Sequence, residues 1–81
     1  MKPLTEVQEG QSVYILDLRN DRLCIEFFEK GCFPGDQIHI IQNSPLHKFI
    51  VFLSGGNRYR LYRNYAAAVI TGIYSHHICL N

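Results

Sequence analysis

Eighty-one residues, 47% hydrophobic and 19% charged, suffice for one folded domain and leave no room for a second. A formal net charge of +1 gives no global attraction to nucleic acid or to an anionic membrane surface. The apolar runs are far shorter than the roughly 20 residues that cross a bilayer, and Met1-Lys2-Pro3-Leu4 carries no apolar export core, so a cytoplasmic chain without direct membrane insertion is expected.

Thr5-Glu6-Val7-Gln8 fits a capping box with Thr5 as N-cap and Gln8 three positions on, but Gly10 limits it to about one helical turn. Residues 12–18 (SVYILDL) read as the first strand, apolar on both faces. Asn20 or Asp21 can cap a helix over 21–30, in which Leu23 and Phe27, with Cys24 and Phe28, make an apolar stripe at i, i+4 spacing. Gly31 stands where a helix ends in the left-handed conformation, and Pro34-Gly35 supplies the fixed φ and the positive φ of a type II turn. The direction of the next strand is therefore set within six residues, Gly31 to Asp36.

Residues 37–42 form a second strand, 43–47 a loop stiffened by Pro45, and 48–53 (KFIVFL) a third strand that is apolar on both faces. Ser54-Gly55-Gly56-Asn57 is a hairpin connection into a fourth strand over 58–62. There Tyr59 and Leu61 face the core, while Arg58, Arg60 and Tyr62 face solvent. Asn64 caps a short turn through Ala68, and 69–74 is the fifth strand, followed by a tail over 75–81. The expected core comprises Val13, Ile15, Leu23, Phe27, Ile38, Ile40, Val51, Leu61 and Val69. The fold class is mainly β: five short strands, one helix after the first strand and short helical turns. Closing the strands into one barrel, about residues 4–74, would remove their exposed edges.

The order helix, Gly31-Cys32-Phe33-Pro34-Gly35, strand, Ser44-Pro45-Leu46, strand, hairpin, strand, Ala66-containing turn, strand resembles the ferrous iron transport protein A (FeoA) family of bacteria. Gly31, Pro34 and Gly35 match that family's Leu-Gly-(Leu/Met)-x-Pro-Gly block. Pro45, Leu46 and Ile50 match its Ala-Pro-Leu-Gly-Asp-Pro-(Ile/Val) block, and Ala66 and Val69 match its Glu-Ala-x-x-Ile turn. The resemblance spans roughly Leu4 to Tyr74 and implies an SH3-like barrel with an inserted helix. It also implies a non-enzymatic accessory role in ferrous iron uptake, with the cytoplasmic GTPase portion of the membrane ferrous iron transporter, FeoB, as partner. Lys30, Glu26, His47-Lys48-Phe49 and Tyr65 depart from the family's usual residues at surface and loop positions that bear on partner choice. A second implication is a metal-sensing or regulatory module, because similar SH3-like domains end the iron-dependent repressors.

Candidate site residues follow from residue chemistry. Leu46 near the tip of the Pro45 loop and Phe33 between two glycines are the apolar candidates for partner binding. Arg58 and Arg60 are the charged ones, and an acidic protein surface suits them better than a nucleic acid does at a net charge of +1. His76, His77 and Cys79 are the best metal candidates, with donors suited to Fe2+ or Zn2+. They supply at most three ligands, and Cys24, Cys32, His39 or His47 could add more only through the fold or a second subunit, so no resident metal or other cofactor is expected. An odd count of cysteines at irregular spacing fits reduced thiols. No nucleophile–base set or phosphate-binding glycine loop is present, so no catalytic residues are assigned.

Overall fold

The computed structural model describes residues 1–74; His76, His77 and Cys79 lie outside the described residues. Strands β1 (Lys2–Pro3), β2 (Ser12–Leu18), β3 (Gln37–Gln42), β4 (Phe49–Ser54), β5 (Asn57–Tyr62) and β6 (Val69–Gly72) make one sheet in the order β1-β6-β2-β3-β4-β5. All of its pairings are antiparallel. Two helices, α1 (Asp21–Lys30) and α2 (Arg63–Ala66), and a 3-10 turn over Leu4–Glu6 complete the described elements.

The expected closed five-stranded barrel is corrected to an open six-stranded sheet, because no ladder joins β1 to β5. The physical reason is local. The chain leaves β5 directly into α2, and β6 then pairs with β2, so the last ladder position beside β6 falls to Lys2 and Pro3. Proline contributes no N–H to a ladder, which suits an outermost strand. Leu4, Val7 and Ala66 are completely buried, and the Leu4–Glu6 turn packs against α2. The β2–β6 register shifts between Ile15 and Asp17, and the β3–β4 register between Ile40 and Gln42, irregularities of the kind that kink a strand locally.

Local chemistry explains α1. Asn20 accepts the Leu23 N–H on its side-chain oxygen at 3.0 Å, so Asn20 rather than Asp21 is the cap. Gly31 has φ 78°, and the Cys32 and Gly31 amides donate to the carbonyls of Phe27 and Phe28, the paired bonds of a Schellman stop. Leu23 and Phe27 are buried, the latter 6.2 Å from Phe52, whereas Cys24 and Phe28 of the expected stripe face solvent. Two i, i+4 rows of this helix therefore differ in fate, since a ten-residue helix on a narrow sheet buries only one. The turn into β3 is as expected: the Asp36 amide donates to Phe33 O at 2.9 Å and Gly35 has φ 100°.

Four further expectations are corrected. Thr5 is not a cap; it lies inside the 3-10 turn, which Pro3 precedes without any side-chain cap. Asn64 is likewise inside α2, which starts at Arg63 after Tyr62. The final strand stops at Gly72, with Ile73 and Tyr74 exposed. Val51 is only half-buried, while Ile50 and Phe52 are in the core, because the hairpin register places Ile50 opposite the buried Leu61. The other eight expected core residues are buried.

Candidate functional site

The 43–48 loop is built by hydrogen bonds rather than by apolar packing. Ser44-Pro45-Leu46-His47 is a turn closed by the His47 amide on Ser44 O at 3.0 Å, with the Leu46 amide donating to Ser44 Oγ at 3.3 Å. Arg63, the first residue of α2, grips it from outside. Its Nε donates to His47 O at 3.0 Å, Nη1 to Asn43 Oδ1 at 2.7 Å and Nη2 to Ser44 O. Asn43 continues the network, its Nδ2 donating to the carbonyls of Thr5 and Val7 and its backbone amide to Glu9 Oε2 at 2.8 Å. A planar guanidinium with several donors in a fixed fork suits a turn rich in carbonyls. The result is a turn held at its base with Leu46 93% exposed at its tip.

Beside that tip lies a shallow cavity of about 530 Å³, lined by Leu46, His47, Lys48, Tyr62 and Arg63 among others. Tyr62 connects it to the sheet. Its ring is 4.6 Å from that of Phe49 at 33°, and the Arg60 guanidinium sits 4.8 Å above the Phe49 ring. Arg58 lies two residues further along the same face of β5. Three of the predicted residues, Leu46, Arg60 and Arg58, thus belong to one apolar and cationic stripe with Phe49 and Tyr62 between them.

Phe33 belongs elsewhere. It is 42% exposed and meets Phe28 edge-to-face at 5.5 Å and 78°, beside Leu18, Cys24 and Pro34. That second patch shares no lining residue with the Leu46 cavity.

Sequence reading missed Arg63 as the loop's clamp and Phe49 and Tyr62 as the stripe's centre. A usable signal was present for the last two. Counting outward from Gly55-Gly56 pairs residue 54 with 57 and so 49 with 62. No such count reveals the clamp, whose partners come from another turn.

Tyr59 joins the two sides of the molecule: its phenol donates to Lys30 O, at the end of α1, at 3.0 Å. Desolvation pushes its pKa above the ordinary value of 10.0, and the neighbouring Cys32 thiol adds to the effect. Cys32 is buried, whereas Cys24 is exposed with its thiol toward Leu18 O at 3.4 Å. His39 and Ser12 form a cross-strand pair, Ser12 Oγ and His39 Nδ1 being 2.9 Å apart, with both residues exposed. Among the described residues, no group of three or more His, Cys, Asp or Glu side chains is placed to hold a metal.

The fold and this face define a small, mainly β domain that offers an exposed loop tip and a basic–aromatic strand face. The model of the FeoA domain matches residues 2–71, and the chain belongs to the FeoA family. No curated protein matches it. Among solved structures it is similar to the iron uptake regulatory protein FeoA, at 24% identity and TM-score 0.74, covering 86% of this chain and 92% of that one. A FeoA-like protein from Clostridium acetobutylicum matches at 18% identity and TM-score 0.75, covering 94% of both chains. A manganese-dependent transcriptional repressor matches at 12% identity and TM-score 0.74, over 89% of this chain and 40% of that one. At these identities the structural likenesses speak for the fold.

Proposed function

We propose that this protein is a small cytoplasmic accessory protein of ferrous iron uptake that acts by binding the GTPase portion of the membrane ferrous iron transporter, FeoB. Membership of the FeoA family supports the system, and the observation that carries the mechanism is the placement of Leu46. A leucine 93% exposed on a turn held by Arg63 and Asn43 is an anchor whose conformational cost is already met by the fold. Arg58 and Arg60, beyond Tyr62 and Phe49 on the same face of β5, steer an acidic surface toward the docking face, raising the association rate more than the final affinity. Phe33 with Phe28 offers a second, smaller contact. Catalysis has no part in this reading, and neither does a resident metal; iron is the transporter's cargo. No helix among the described residues is long and apolar enough to cross a membrane.

The test is ferrous iron uptake in cells. Deleting this chain while the transporter is retained lowers uptake, wild type restores it, and Leu46→Asp does not. Uptake unchanged by the deletion overturns the proposal.

A further inference from the structure

Among the described residues, β5 is the last strand of the sheet, and its outer edge has no neighbour in the sheet order. Which backbone groups point outward is set by the hairpin. The Ser54–Asn57 pair closes a two-residue Gly55-Gly56 turn with both φ positive, at 57° and 84°, and is a hydrogen-bonded pair. Bonded pairs then alternate along the unbroken register as 52/59 and 50/61, and the Arg63 amide donating to Lys48 O at 2.7 Å continues the same series. Arg58, Arg60 and Tyr62 therefore turn their backbone amides away from β4, toward the open edge. The side chains of these same residues carry the exposed charge and the aromatic ring.

A groove of about 390 Å³ is lined by Arg22 and Glu26 of α1, Phe49 of β4, Arg60, Leu61 and Tyr62 of β5, and Tyr65. Leu61 faces the core and its two neighbours face solvent, so the groove takes in residues from both faces of β5. Its charge is one-sided. Glu26 is engaged by Arg22 at 3.6 Å and Lys30 at 4.0 Å, while Arg58 and Arg60 have no carboxylate partner among the described residues. A second copy of this chain is a poor occupant, since antiparallel self-pairing centred on Arg60 sets Arg60 against Arg60.

We infer that the β5 edge is a strand-addition site for an extended acidic segment of a partner protein. Two acidic residues at alternate positions pair with Arg58 and Arg60, and an apolar residue two positions further lies on Tyr62. The inference deepens the partner reading above, and its test separates the two.

The probe is a synthetic peptide of about eight residues in which glutamate, glutamate and valine occupy three successive alternate positions with threonine between them, and the control carries lysine in place of both glutamates. The expected result is saturable binding of the acidic peptide alone. The amides of Arg58, Arg60 and Tyr62 shift and exchange more slowly, while those of Tyr59 and Leu61, already bonded to β4, change little. Arg60→Pro removes one outward donor without breaking the β4 ladder, and it weakens binding about tenfold beyond Arg60→Ala, roughly the worth of one to two net hydrogen bonds. If Arg60→Pro does not fold, the alternating pattern in wild type decides. No saturable binding, equal binding of the lysine peptide, changes confined to the Leu46 loop, or a dimer protecting the same three amides each overturns the inference. Equal binding of the transporter's cytoplasmic portion by Arg60→Ala and a folded Arg60→Pro also overturns it, while leaving the accessory reading intact. Peptide binding with no transporter binding does the reverse.

Discussion

Gly31 shows how much a single residue decides. Its φ of 78° ends α1, and a Cβ there would meet no atom within 4 Å, so any substitution cost comes from the backbone and not from crowding. Gly31→Val is expected to lose about 1–3 kcal/mol, read as a lower denaturant midpoint; a wild-type midpoint would contradict the assignment. This residue was legible because helix stripe, glycine and Pro34-Gly35 all agree locally. Arg63 was not, because its partners lie 16 to 20 residues away. Arg63→Ala leaves Asn43 and two carbonyls without their donor. It is expected to cost about 1–3 kcal/mol and to speed amide exchange at His47 and Leu46, whereas unchanged exchange would mean that the turn stands without its clamp. Tyr59 links stability to alkaline pH. Its pKa is raised in the folded state, so its contribution is intact below the unfolded value of 10.0 and is lost as the pH rises through the higher folded value. Above pH 10 the unfolding midpoint should fall more steeply in wild type than in Tyr59→Phe; equal slopes would remove Tyr59 from the account.

At the scale of elements, α1 and the strand positions were readable because each has a local period or a bounding turn. The inward face of β4 was not. Phe49, Ile50, Val51, Phe52 and Leu53 are all apolar, so alternation gives no choice between faces, and the pairing with β5 makes it. The two faces differ in energy. Ile50→Ala is expected to cost about 2–5 kcal/mol, whereas Val51→Ala, at a half-buried position, costs about 1 kcal/mol. Comparable losses in chemical denaturation would contradict this register. The caps assigned to Thr5 and Asn64 failed for a related reason. Both are good cap residues by type, but tertiary packing of Leu4 and Ala66 started each turn earlier.

For the whole molecule, a mainly β fold of short strands with one helix after the strand at residues 12–18 was legible, and the openness of the sheet was not. Whether two edges meet depends on residues far apart in the chain, here Lys2–Pro3 and Asn57–Tyr62. The strand-addition reading rests on this open edge of β5, near the Leu46 turn. Of the candidate binding residues, the sequence correctly grouped Arg58 with Arg60 and marked Leu46 as a loop-tip residue, but it could not show that Phe33 lies on a separate patch. The most direct test of the central claim is a titration of the transporter's purified cytoplasmic GTPase portion with wild type and Leu46→Asp. Leu46 makes little of the fold, so the melting temperature should stay nearly unchanged while binding weakens by about 1–3 kcal/mol. Equal affinity of the two proteins, or no binding by wild type at any salt concentration, would contradict the account.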